Sequence, residues 1–144
     1  MFDKRVDLAV DYAMKYVGTW YSWGGDDASG FDCSGLMIEV LKAVGLFPRK
    51  GDETAQGLYE RFKDKVTQNP VEGCLVFYGR STNRITHIEL VVAIFGGTVF
   101  TVGASGGGSK TKTKEDAIRD NAFVKVRPMR GDVVAFSNPF STEI

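Results

Sequence analysis

Two cysteines and one histidine are the residues of this 144-residue chain best suited to covalent chemistry. Cys33 follows Phe31-Asp32 and precedes Ser34-Gly35, where an apolar helical pattern begins. The first turn of a helix carries unpaired N–H groups and the positive end of the macrodipole. Both favour thiolate over thiol, so a cysteine there is expected to fall below its free pKa of ~8.5. The same N–H groups can stabilise an oxyanion on a substrate carbonyl. The competing reading is a small buried hydrophobe, the commonest fate of a free cysteine. A cysteine nucleophile usually needs a base, most often histidine. His87 is the sole histidine, so it is the base or there is no Cys–His pair. Taken alone, it would be a surface histidine at a strand end. Cys74 opens the apolar run CLVF, away from any helix start, and is expected to be structural.

Other chemistries fit less well. One histidine and two cysteines without a CxxC pair cannot supply the usual structural zinc ligands. The segment GASGGGSKT (103 to 111) has the look of a phosphate-binding loop, but Ser109 separates Gly108 from Lys110. That motif needs Gly-Lys-Ser/Thr in direct sequence, followed by a helix. The run KTKTK reads as a solvated loop. No cofactor is expected. Lysine plus arginine equal aspartate plus glutamate, 18 against 18. A nucleic-acid binder needs a basic excess, and so does a protein held on anionic lipid by bulk charge. No apolar run reaches membrane-spanning length. The N-terminus has an early acid and no long apolar core, so no secretory leader is expected. This implies a soluble protein, cytoplasmic as made. Two cysteines do not suggest a disulfide scaffold.

The elements that must position these residues follow from periodicity. Residues 3 to 17 read as a helix with Asp3 as cap and Val6, Ala9, Val10, Ala13, Met14 and Val17 as its apolar stripe. A second helix runs from 33 to 44, with Leu36, Met37, Val40, Leu41 and Val44 inward and Gly45 as its stop. A third spans 53 to 62, with Asp52 near its cap. Beyond it the period changes to two. Strands are expected at 74 to 78, 86 to 95, 98 to 103, 123 to 128 and 132 to 136, with Gly96-Gly97 as a hairpin turn. Residues 104 to 114 read as a loop. In the histidine strand, His87, Glu89 and Val91 share one face and Ile88, Leu90 and Val92 the other. Helices first and antiparallel strands after predict an α+β fold in a single domain, 1 to 144.

With these residues in view, the chain resembles the NlpC-type cell-wall cysteine peptidases, a compact branch of the papain-like superfamily. VGTWYSWGGDDASGFDCSGLMIEVLKAVG (17 to 45) is similar to the family's nucleophile block, a Tyr-x-Trp-Gly-Gly stretch followed by Asp-Cys-Ser-Gly. ETAQGLYERF and VEGCLVFYG, within 53 to 79, resemble the following helix and first strand. THIELVVAIFGGTVFTVGAS (86 to 105) resembles the histidine strand and its partner. The resemblance implies N-terminal helices packed on an antiparallel sheet, Cys33 attacking a peptide carbonyl and His87 moving the proton. It implies that Tyr21, Asp32 and Ser34 line the site and help hold a substrate amine or the oxyanion region. The implied substrate is a peptide stem or cross-bridge of bacterial peptidoglycan.

The chain departs from the family pattern in two places. The third polar residue usually stands on the partner strand, and that position here is Gly103. Two residues after the histidine, where a small residue is usual, stands Glu89. Glu89 lies on the face of His87 and can orient or charge-stabilise the imidazole; a water or a backbone carbonyl is the alternative. The ending VKVRPMRGDVVAFSNPF resembles virus-encoded members, which implies a phage tail or lysis assembly as partner. A cellular enzyme exported by another route is the alternative origin. Two further readings stay open: an acyl or amide transferase on the same fold, and a non-catalytic phage structural or wall-binding module.

Overall fold

The computed structural model describes residues 3–27 and 30–141. Helix α1 spans Lys4–Lys15, and the Asp3 carboxylate caps it by accepting the Arg5 N–H at 2.9 Å. Its buried stripe is narrower than the periodicity suggests. Ala9 and Ala13 are buried, Val6 and Val10 pack at the edge, and Met14 and Val17 are exposed. Tyr12 and Tyr16 do the packing instead, Tyr16 meeting the Phe31 ring edge-on at 5.1 Å.

Helix α2, Cys33–Ala43, is the buried one. Leu36, Met37, Ile38, Val40 and Leu41 are all enclosed, which explains why its pattern is nearly continuous rather than striped. Gly45 follows its end at φ +77°, a left-handed turn that a side chain would strain. Helix α3, Ala55–Phe62, begins later than expected. Its cap is Thr54, whose hydroxyl accepts the Gly57 N–H at 3.0 Å, whereas Asp52 accepts only the Glu53 N–H.

The strands are β1 (Asp26–Asp27), β2 (Gly30–Phe31), β3 (Val66–Thr67), β4 (Leu75–Gly79), β5 (Ile85–Phe95), β6 (Thr98–Ser105), β7 (Phe123–Pro128) and β8 (Val133–Ser137). The first two form a small antiparallel ribbon beside α2. The other six form one antiparallel sheet in the order β3-β8-β4-β5-β6-β7 among the described residues. The fold is thus α+β, as the order of periods predicts. A short helix α4, Lys114–Asp120, interrupts the stretch before β7. Its capping box, Thr113 with Asp116, is present in the sequence but lies next to the lysine-threonine run.

The sheet has two unlike faces. Leu75, Phe77, Ile88, Leu90, Val102 and Ala104 pack against the helices, while Cys74, Val76, Tyr78 and Val91 form a second cluster. Adjacent strand residues alternate between the two clusters, as a pleated strand requires. Cys74 therefore faces away from α2. It is fully buried and its sulfur accepts the Val71 N–H at 3.4 Å.

Candidate active site

Cys33 is the first residue of α2, and Asp32 is its cap. The Asp32 carboxylate accepts the Gly35 N–H at 2.7 Å, the Gly24 N–H at 3.0 Å and the Ser34 hydroxyl at 3.3 Å. Gly35 must be small. A Cβ there would collide with the Gly25 carbonyl, because the glycine-aromatic loop lies directly on the helix start. This loop and the helix turn together hold Cys33 at the floor of a cleft of about 670 Å³.

The cleft draws its walls from elements far apart in sequence. Tyr21, Asp32, Cys33 and Ser34 come from the first block, and His87 comes from β5. Gly106, Gly107 and Gly108 extend from the end of β6, and Arg130 reaches in from the β7–β8 turn. The structure thus gathers Tyr21, Asp32, Cys33, Ser34 and His87 around one cavity. The N–H groups of Ile88, Ser34 and Cys33 itself donate toward the Cys33 sulfur. Ile88 is the residue after His87, so the sulfur lies against the very stretch of β5 that carries the imidazole.

Glu89 stands behind His87 rather than in the cleft wall. Its Oε2 pairs with His87 Nε2 at 2.8 Å and accepts from Arg127 Nη2 at 2.7 Å. Its Oε1 accepts the Tyr78 hydroxyl at 2.9 Å and the Thr101 hydroxyl at 2.7 Å. The carboxylate is fully buried, and these four donors fill it. Burial pushes its pKa up, but the His87 hydrogen bond and charge, the Thr101 hydroxyl and the Arg127 charge outweigh that and hold it down at about 2. An ionised Glu89 can only accept, so neutral His87 carries its proton on Nε2. The lone pair then belongs to Nδ1.

Gly103 explains the missing group on the partner strand. A Cβ at Gly103 would come within 2.6 Å of Glu89 Cγ and 3.2 Å of Glu89 Oε2. Glu89 occupies the space that a side chain on β6 would need.

The structure corrects one expectation. The Cys33 thiol is pushed up rather than down. Burial and the neighbouring Asp32 charge raise Cys33 to about 11, against the lowering by Ile88, Ser34 and Cys33 N–H groups. Burial likewise raises Cys74. The helix-start N–H groups are present, but the cost of desolvating the sulfur, with the Asp32 charge added to it, outweighs them.

Tyr78, Thr101 and Arg127 were not singled out from sequence. They lie on three different strands, and only register brings them to Glu89. Tyr78 pairs with His87, and Thr101 pairs with Arg127. Alternation was the one available signal: Tyr78 and Thr101 share the pleat face of Glu89 on largely apolar strands, and Arg127 alternates with Val124 and Val126.

Comparisons with known proteins agree with this arrangement. The model of the NlpC/P60 family matches residues 18–127, which include every cleft residue named above except Arg130. The bifunctional muramidase/DL-endopeptidase CwlT of Bacillus subtilis is 36% identical over 104 residues, covering 69% of this chain and 30% of that protein. The gamma-D-glutamyl-L-lysine dipeptidyl-peptidase of the same organism is 31% identical over 116 residues, covering 78% of this chain and 37% of that protein. The chain thus spans little more than a third of these relatives at most. The structure of the peptidoglycan hydrolase RipB from Mycobacterium tuberculosis superposes with a TM-score of 0.71 at 22% identity, covering 96% of this chain and 66% of that one. That likeness speaks to fold, while the family match spans most of the sequence and its nucleophile and histidine blocks. The chain belongs to the NlpC/P60 family.

Proposed function

We propose that residues 1–144 act as one catalytic domain, a cysteine endopeptidase that hydrolyses amide bonds in the stem peptides or cross-bridges of bacterial peptidoglycan. The observation that carries this reading is a histidine held by a buried, ionised carboxylate in the same cleft as a helix-start cysteine. The relatives' names, as DL-endopeptidase and dipeptidyl-peptidase, point to the same substrate class.

In the proposed reaction His87 Nδ1 takes the proton as Cys33 Sγ forms a bond to the carbonyl carbon. With the thiol raised to about 11, the proton leaves during attack rather than before it. Helix-start N–H groups receive the oxyanion. The imidazolium, stabilised by Glu89, gives its proton to the departing amine as the C–N bond breaks. Water, deprotonated by His87, then releases the acid from the thioester and restores the thiol. Glu89 keeps the tautomer and ring orientation throughout, the part a third group plays in such triads.

Tyr21, Asp32 and Ser34 are proposed to bind the substrate. Asp32 is a helix cap, and its burial raises its pKa first of all, despite three donors. A substrate ammonium beside it would relieve that cost. The wall lies outside the cytoplasm, so the protein must be delivered to it. The resemblance of the C-terminal stretch to virus-encoded members favours a phage tail or lysis assembly as the vehicle.

Two measurements test the reading. Digestion of purified peptidoglycan, followed by mass spectrometry, should release fragments with a new free carboxylate and a new free amine. Fragments carrying a new amide or ester would instead indicate transfer. Short stem peptides with a free or an acetylated N-terminus test amine recognition. Acetylation should lower kcat/KM about 10- to 100-fold, the size of one charged hydrogen bond. Equal cleavage of both would leave Asp32 as a cap alone.

A further inference from the structure

We infer that Arg127 is a positioning residue for the His87 base: its guanidinium shares the Glu89 oxygen that holds the imidazole, and so limits how tightly that carboxylate keeps a proton on the ring. The inference rests on the proposed role of His87. It begins from a geometric detail. His87 Nε2 and Arg127 Nη2 meet the same oxygen, Oε2, at 2.8 and 2.7 Å. Arginine usually grips a carboxylate as a fork, with two parallel bonds to two oxygens. Here the second oxygen is taken by Tyr78 and Thr101, and the Arg127 Nε is buried without a partner. A contact serving packing alone would gain more from the fork. The arrangement instead places a full positive charge at the oxygen that faces the base.

The consequence follows from charge. An unopposed buried carboxylate beside an imidazole strongly favours the imidazolium, which cannot accept a proton from Cys33. A guanidinium on the same oxygen reduces that pull while leaving the hydrogen bond intact. The other charged and titratable groups around the pair do not duplicate it. Tyr78, from β4, donates to Oε1, and Arg130 stacks over the Tyr78 ring at 4.6 Å. Lys125, from β7, feels Glu89, but its ammonium donates to the Asn121 carbonyl at 3.0 Å. Asp32 and Cys33 line the cleft on the side of α2.

His87 is the only histidine, so its ring Cε1–H signal can be followed by NMR through a pH titration without assignment ambiguity. Arg127→Gln should move the midpoint up by about one pH unit, the ordinary scale of losing one neighbouring charge. The acid limb of the kcat/KM profile should move the same way. Arg127→Lys should recover at least half of the shift. A folded Arg127→Gln protein with an unchanged or lowered midpoint would overturn the inference. So would loss of the fold in both Arg127→Gln and Arg127→Met, because Arg127 would then be structural. The titration needs no substrate, so it stands or falls separately from wall hydrolysis.

Discussion

Cys33 is subject to opposing influences, and their balance decides how it reacts. Three N–H groups favour its thiolate, while burial and Asp32 oppose it, and the opposition wins. Its alkylation by iodoacetamide should therefore keep accelerating from pH 7 to pH 9. A rate already flat at pH 7 would mean a preformed thiolate. Cys74, fully buried, should stay unlabelled until the protein unfolds. Glu89 shows the reverse balance. Its pKa in the fold, about 2, is below the ordinary ~4.3 of glutamate. A depressed carboxylate contributes stability that is complete above its unfolded value and lost as pH falls through its folded one. Urea unfolding should thus show stability draining away from about pH 4.3 down to about pH 2. Glu89→Gln should flatten that limb and cost roughly 2–4 kcal/mol at neutral pH, since it leaves Arg127 facing a neutral group in a buried setting. It should also lower turnover. A Glu89→Gln protein with unchanged acid sensitivity and turnover would leave Glu89 no role in the site.

At the scale of elements, β5 and β6 form the hairpin on which the proposed base depends. Gly103→Ala should force Glu89 aside, because strand backbone cannot retreat by the several tenths of an ångström that a 2.6 Å approach demands. Overpacking of this kind costs about 1–3 kcal/mol. Turnover should fall with it, and the penalty should largely vanish in a Glu89→Ala background, as coupled neighbours require. Additive costs would show that the two residues are independent. The same hairpin marks what sequence could and could not convey. The Gly96-Gly97 turn, the alternation along β5 and the placement of Glu89 on the His87 face were legible from period alone. The convergence of Tyr78, Thr101 and Arg127 was not, because it depends on register between strands up to three places apart in the chain. The ribbon β1–β2 and the strand β3 were too short to carry a period, and α4 was hidden beside a lysine-threonine run. Asp52 and Thr54 both stand ahead of α3, and Thr54 is its cap. An acid and a threonine are both good caps, and only the backbone decides between them.

For the whole molecule, the fold brings blocks more than fifty residues apart to one open cleft, with the helices on one side of the sheet and the Glu89 network on the other. The cleft floor lies where α2 packs on β5 and β6, and the Gly106 to Gly108 loop contributes to its rim. No helix among the described residues is long and apolar enough to cross a membrane. The central claim is that Cys33, activated by His87, breaks a peptide bond of the wall. The most direct measurement is a side-by-side digestion of purified peptidoglycan by the wild type, Cys33→Ala and His87→Ala, with quantified release of new amino termini. The account predicts steady release by the wild type, none above background by folded Cys33→Ala, and a loss of at least ~100-fold in His87→Ala, the scale of general-base catalysis. Release by Cys33→Ala at the wild-type rate would contradict it.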